Sequence, residues 1–384
     1  MIFTCIAIAF ACAYAWLQGY YLWYWKRSPR LSLSPLVDNS IAGVSVILVA
    51  RNEGQVIGSC LQGLLQQDFP SDRMEIIVID DHSTDDTVHQ VQHFEDARIR
   101  LFHLHDYPDY IHPPAYKKSG IVLAADQAHF DILVVTDADC LHPAAWLRTI
   151  TNPFMDPNLV FQTAPVLLST SGSWVEKMQE MEQLTLMLIT GAGITSGLHD
   201  MANGANMAFR RSAFRAVGDF TGNWSYASGD DMFLVEKMRA QFPKGIAFAK
   251  SMDAVVETQA KTTWQDLFQQ RLRWAGKNKG LKSRVISRTW LFVGFYHVLL
   301  VVTLVAALCN LMSWMTFVIL LLSKWLFDFV VVYSAASFFR QSRIMMYFLP
   351  LQLMYGYYLL RLGSWMLIGR EGDWQRAESR EQRA

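Results

Sequence analysis

No Asp, Glu, Lys or Arg occurs among the first 25 residues, and cysteine is scarce, with 5 in 384 positions. Cys5, Cys12, Cys60, Cys140 and Cys309 make no CxxC pair, which argues against both a zinc finger and a disulfide-stapled domain. An excess of positive charge is also missing. The 34 basic and 34 acidic side chains cancel, so no general nucleic-acid partner is expected, since such binding needs a basic surface. There is no GxxxxGK[ST], and no GxGxxG follows the first apolar run, so neither common phosphate-cradling loop is present. His89 and His93 have the i, i+4 spacing of a zinc helix but lack its glutamate. What the chain does have is apolar mass. At 52% hydrophobic and 18% charged it can offset the entropy of ordering by burial, and its charge is concentrated between two apolar ends.

Residues 1–25 are long enough for a membrane helix and end in the aromatic run 20–25, followed by Lys26, Arg27 and Arg30. A cleavable signal peptide would need a basic start that this segment lacks, so an uncleaved anchor is expected. Residues 289–308 and 311–335 form two more candidate spans. Residues 344–368, with Pro350 and Arg361 inside, are expected to cross or to dip into the membrane. Basic residues 277, 279, 282, 284 and 288 precede the first of these. The positive-inside rule therefore places 26–288 in the cytoplasm, ahead of C-terminal helices over 289–369 and a polar tail over 370–384. Lys324 and Asp328 share a helix face inside the second span, as a functional pair or as a structural ion pair.

Between about 44 and 163 the pattern alternates. Apolar runs at 44–49, 75–79, 98–102 and 132–135 predict strands. Helical periodicity over 55–67, a helix start near Thr84 and a helix over 118–129 lie between them. Continuous apolar strands separated by helices predict an α/β fold with a mostly parallel sheet covered on both faces. Ligands of such sheets bind beyond the strands' carboxyl ends, where the polar clusters fall. These are Ala50, Arg51, Asn52 and Glu53 after the first strand, 80–85 after the second, and Asp137 with Asp139 after the last. Oxygen-only donors of the Asp137/Asp139 kind suit Mg²⁺ or Mn²⁺. Asp80 and Asp81 can accept hydrogen bonds from a ribose or base, or can cap the following helix, and Lys118 can neutralise phosphate. Cys140 has no activating partner near it in sequence. Gly191, Ala192 and Gly193 are expected to mark a helix end near the membrane.

Three denser clusters follow: 203–211, Gly229-Asp230-Asp231, and Gln270-Arg271-Leu272-Arg273-Trp274 on an amphipathic stretch over 262–277. With Asp80, Asp81, Asp137 and Asp139 they stand in an order that resembles the membrane-bound family 2 glycosyltransferases, from Val44 through Trp274. The resemblance implies a GT-A catalytic domain acting on a nucleotide sugar, with a UDP-sugar as the expected donor. By that resemblance Ala50, Asn52, Glu53, Asp80, Asp81, Lys118 and Asp137 would hold the nucleotide, and Asp137 and Asp139 the divalent ion. Asp231 would be the general base. Gln270, Arg271, Arg273, Trp274, Asp230, Asn203, Gly204 and Asn206 would meet the diphosphate or the acceptor. One base without a second carboxylate nucleophile implies direct displacement with inversion.

Two acceptors fit: a membrane lipid, or a growing polysaccharide. About four hydrophobic segments are few for a polymer-secreting pore. The stretch 275–280 also lacks the threonine-containing gating segment common in such synthases, so the lipid is expected. A Met-rich stretch over 174–189 reads as a lipid-facing surface or as an ordinary core face. The helix around Trp264 and Phe268 is expected to lie at the bilayer surface. A non-catalytic scaffold with a degenerate transferase fold is the reading of another class, and the complete acid set argues against it.

Overall fold

The computed structural model describes residues 2–31, 42–277 and 280–367. The polar tail, with Arg370, Arg376, Arg380 and Arg383, lies outside the described residues, as do Lys279 and Asn278. The chain opens with α1 (Ile2–Arg27). An alternating series follows: β1 (Val44–Ala50), α2 (Ile57–Leu65), β2 (Met74–Asp80), α3 (Thr87–Gln92), β3 (Ile99–His103), α4 (Tyr116–Gln127) and β4 (Ile132–Thr136). Next come α5 (Trp146–Thr151), β5 (Phe161–Thr163), β6 (Val166–Ser169), α6 (Trp174–Ser196), β7 (Met207–Arg210), α7 (Arg211–Ala216), α8 (Asp230–Gln241), β8 (Ile246–Phe248) and β9 (Val256–Gln259). The last helices are α9 (Trp264–Lys277), α10 (Val285–Leu308), α11 (Trp314–Phe338) and α12 (Phe348–Leu367).

The apolar runs form strands because both of their faces are buried. Val44, Val46, Leu48 and Ala50 pack with Ile57, Cys60, Leu61 and Leu64 of α2, whereas Ile47 meets Ile121 and Leu123 of α4 on the other face. That two-residue alternation sandwiches the sheet between helices, as its unbroken hydrophobicity predicts. The main sheet runs β3-β2-β1-β4-β7-β5-β8. β1 to β4 pair in parallel, and β7 is antiparallel to both β4 and β5. Register fixes where the strands end: Ala50 stands opposite Asp80, Asp80 opposite His103, and Leu48 opposite Thr136. The polar residues after β1, β2 and β4 therefore leave the sheet at one edge. A parallel pair, β6 with β9, flanks this edge and is tied to it by the Leu141–Glu257 bridge.

α6 joins the two halves. Ser173 and Glu176 form a reciprocal capping box at its start, so the helix begins where its donors are satisfied. It then runs unbroken through Gly191 and Gly193, and a left-handed Gly197 ends it. The expected helix end at 191–193 is thus a mid-helix contact. A Cβ at Gly193 would lie 2.2 Å from His199, and one at Gly191 2.8 Å from Trp25, so these glycines admit close neighbours. Met178, Met181 and Met187 are buried in the main core, which makes the Met-rich stretch a core face. The short α3 starts at Thr87, three residues after the expected start, because Asn52 and Asp80 accept hydrogen bonds from the backbone at Thr84 and Ser83.

α1, α10 and α11 are long and apolar enough to cross a membrane. α12 is preceded by a short 3₁₀ turn (Ser342–Tyr347) and packs against α6, α9 and α10. The end of α1 is pinned to the sheet. Lys250 donates to the carbonyl oxygen of Trp25 and sits 4.0 Å from the centre of its ring, a cation at a helix C-terminus.

Candidate active site

The site gathers around an ammonium group. Lys117, in the first turn of α4, places Nζ 2.5 Å from Asp137 Oδ1 and 3.8 Å from Asp230 Oδ2, and it also interacts electrostatically with Asp231. Burial opposes its charge, but these carboxylates outweigh it and hold the amine protonated. The acids reach this point from distant parts of the chain. Asp137 leaves β4, while Asp230 and Asp231 open α8. Gly204 lets them converge, since a Cβ there would stand 2.7 Å from Asp230 Oδ2. That oxygen is buried and accepts no hydrogen bond from the described residues.

Around this centre the field is acidic. Burial, then Asp139 and Asp137, push the Glu53 carboxyl up to about 7. Burial also raises Asp137, against the pull of Lys117 and with a contribution from Asp139. Asp139 is exposed, with Oδ2 accepting from Thr258 Oγ1 at 2.9 Å. A set of hard carboxylate oxygens that repel one another is what a divalent cation of the Mg²⁺ or Mn²⁺ kind would relieve, so the residues present fit such an ion. The thiols of Cys60 and Cys140 are pushed up by burial and by the same acids, which makes them unreactive.

A second polar group lies two and three strands away. Asp80 accepts from Ser83 N at 3.1 Å and meets His103 Nδ1, also at 3.1 Å; Asp81 meets His82 Nδ1 at 2.8 Å. Burial raises the Asp81 carboxyl. Asp80, His103 and His105 bring one ligand atom each within 4.8 Å of one another. Their mixed nitrogen and oxygen chemistry differs from that of the Asp137/Asp139 set, and both Asp80 oxygens are already engaged. Asn52, at a positive φ of 55°, accepts from Thr84 N at 2.8 Å and holds the loop after β1 against the loop after β2. Ala50 O accepts from Asp81 N at 2.8 Å.

Four expected contacts stand elsewhere. Lys118 is fully buried and donates to the carbonyl oxygens of Asn223, Tyr226 and Ser228, so it ties down the loop before α8 while its neighbour Lys117 faces the acids. One residue is about 100° of helix, enough to exchange the two roles. Asn206 is fully buried: its amide donates to Pro165 O and Ala254 O, and its oxygen accepts from Trp146 Nε1. Asn203 caps its own turn by accepting from Ala205 N. Arg271 is buried and donates to Glu182 Oε2 on α6 at 2.5 Å, with its guanidinium 4.2 Å from the Trp274 ring centre and Gln270 accepting from it. Arg273 and Trp274 are exposed on α9. Sequence reasoning missed Lys117, Thr258 and the Glu182 partner of Arg271. Only the Lys-Lys pair at 117–118 carried a local signal, and that did not say which lysine faces inward.

Known proteins resemble this chain in both sequence and architecture. The description "Glycosyl transferase family 2" matches residues 45–218, and "Glycosyl transferase family group 2" matches residues 132–359, more than half of the chain. A beta-monoglucosyldiacylglycerol synthase of Synechocystis sp. is 28% identical over 238 residues, covering 60% of this chain and 47% of that protein. An N-acetylglucosaminyltransferase of Rhizobium meliloti is 24% identical over 259 residues, covering 64% of this chain and 58% of its own. This chain thus spans about half the length of the curated relatives it matches. Among solved structures, a mannosyltransferase from Pyrobaculum calidifontis, in complex with GDP-Man and Mn²⁺, is similar with a TM-score of 0.57. It is 20% identical and covers 90% of this chain and 97% of that one, and the likeness identifies the α/β architecture as GT-A.

Proposed function

We propose that this chain, which belongs to glycosyl transferase family group 2, transfers a sugar from a nucleotide sugar to a hydroxyl of a membrane lipid, with inversion at the anomeric carbon. The observation that carries the reading is the meeting of Asp137, Asp230 and Asp231 around Lys117 at the carboxyl edge of the sheet. The glycolipid relative supports the lipid acceptor, as do the three helices long and apolar enough to cross a membrane.

Residue roles follow from charge and reach. Asn52, Glu53, Asp80 and Asp81 border the space for the nucleoside. A divalent ion, when held by Asp139 with Asp137, would neutralise charge on the donor's diphosphate. Lys117 adds a second positive charge to the same region. Asp231 takes the proton of the acceptor hydroxyl as its oxygen attacks the anomeric carbon. The bond from that carbon to the diphosphate breaks, and the nucleoside diphosphate leaves with the electron pair. Arg273 and Trp274, exposed on α9, face the acceptor side. Arg271 orients α9 through Glu182.

The basic residues set the orientation. Lys26 and Arg27 end α1, Arg284 and Arg288 flank the start of α10, and Arg340 and Arg343 follow α11, while the turn between α10 and α11 carries no charge. All three clusters fall on the side of the catalytic half, which we assign to the cytoplasm.

The test uses the full chain in nanodiscs with labelled nucleotide sugars, Mg²⁺ or Mn²⁺, and mass spectrometry of the lipids. A new glycolipid is expected. Asp231→Asn should keep nucleotide binding and lose about 10²-fold or more of transfer. Normal transfer by that variant would remove the assigned base, and insoluble carbohydrate without glycolipid would redirect the acceptor to a polymer.

A further inference from the structure

The transferase chemistry leaves the polar interior of the helical half unused. α1, α6, α10, α11 and α12 line a cavity of about 110 Å³, several times the space one water requires. Polar side chains within membrane helices are costly and occur where they face one another or a ligand. Here they are collected on the cavity wall. Lys324 pairs with Asp328, Tyr14 Oη donates to the same carboxylate, Gln18 Nε2 lies 3.5 Å from it, and Lys324 reaches Gln352 Oε1 at 3.2 Å.

The charges on this wall cancel. Lys324 and Asp328 neutralise each other, and Arg271 neutralises the third lining charge, Glu182, from behind. His199 is held neutral, since burial pushes it down to about 4, and its Nε2 meets Tyr21 Oη at 3.1 Å. An anionic head would have to draw a cation away from its own buried acid, which is strongly unfavourable. Two lining atoms have no hydrogen-bond partner among the described residues: His199 Nδ1, and Gln18 Oε1, on a residue 8% exposed. A buried carbonyl oxygen in a neutral wall calls for an O–H or N–H donor.

The cavity also has a direction. Met201 and Ile286 line it and pack with Met232, the residue after Asp231.

We infer that this cavity is a selective antechamber for the acceptor: it receives the uncharged, hydroxyl-bearing head of a glycerolipid on its way to Asp231, with Gln18 Oε1 accepting from that hydroxyl. This rests on the lipid-acceptor reading above and narrows it, excluding lipid phosphates.

The experiment uses the full chain in nanodiscs, with 1,2-dioctanoylglycerol carrying a photoreactive acyl group and a short polyprenyl phosphate as competitor. Cross-links are expected in residues 181–189 and 286–297, with the phosphate a poor competitor. Gln18→Leu should weaken dioctanoylglycerol binding about tenfold, one buried hydrogen bond. Thr185→Trp, which fills the cavity, should abolish it, and Val302→Phe on the exposed face of α10 should leave it as in wild type. Nucleotide-induced thermal shifts report that each variant is folded. Cross-links confined to outward-facing residues, wild-type binding by both cavity variants, or stronger binding of the polyprenyl phosphate would each overturn the inference. Glycolipid formation is scored in the same nanodiscs. Transfer to lipid that ignores both cavity variants defeats the antechamber alone. Cavity labelling without transfer to any lipid defeats the acceptor reading and leaves a neutral-lipid site.

Discussion

Glu53 should make the protein less stable as pH rises, a reversal of the usual carboxylate effect. Its carboxyl titrates near 7 in the folded chain, against 4.5 for a free side chain. Below pH 4.5 both folded and unfolded forms hold the proton, and the residue contributes no pH dependence. Between 4.5 and about 7 the unfolded chain gives up its proton while the folded one keeps it, so stability falls with pH; above 7 the loss is complete. At 1.36 kcal/mol per tenfold change in proton affinity, the full difference would be about 3 kcal/mol. The side chain is only half buried, so solvent screening reduces the expected loss to about 1–2 kcal/mol. Glu53→Gln removes the proton equilibrium and the repulsion from Asp139 and Asp137. In the absence of divalent ions, the variant should melt higher than wild type at pH 8 and close to it at pH 5. The assay is thermal unfolding across pH 4.5–8 with chelator present. Adding Mn²⁺ and nucleotide at pH 7 should then release about half a proton from wild type, read by calorimetry in buffers of different ionisation heat, and less from the variant. Parallel pH profiles for the two proteins would refute the account of the acid cluster.

The two adjacent lysines should separate cleanly. Lys117→Met is expected to lower kcat/KM about 10²-fold, by leaving Asp137 and Asp230 without their cation, whereas Lys118→Met is expected to lower Tm by removing three hydrogen bonds to partly buried carbonyls, a cost of about 3 kcal/mol; a folded but inactive Lys118 variant would reverse the assignment. Asn206→Ala loses three buried hydrogen bonds, about 3 kcal/mol in all, and circular-dichroism melts should show a lower Tm with little change in KM for the donor in the protein that remains folded. Arg271→Met alone should destabilise by about 3–5 kcal/mol, since it strands Glu182 in the interior, and Glu182→Leu in the same chain should recover most of that loss in thermal melts.

Much of the sheet was legible because its cause is local. Largely apolar runs at 44–50, 74–80 and 132–136 are buried on both faces, and the helical spacing between them supplies the covers. Polar residues that end such runs fall at one edge whatever the loops do, which is why 50–53, 80–81 and 137–139 leave the sheet together. The three helices long and apolar enough to cross a membrane were legible for the same reason, from length and from lack of charge.

Helical phase and distant partners were not local. Which of Lys117 and Lys118 faces the acids depends on how α4 is rotated by packing of Ile121 and Leu123 against the sheet. Asn206 has its residue type in the sequence, but its role comes from Trp146, Pro165 and Ala254, carbonyls and a ring brought beside it by three separate turns of chain. Arg271 pairs with Glu182 because α6 presents that carboxylate to it across 89 positions. Sequence alone determined the elements and the chemistry on offer, since hydrophobic period and residue type act within a few residues. Tertiary structure decided which groups meet, because a charge or an amide finds its partner only after non-local packing has set the distance.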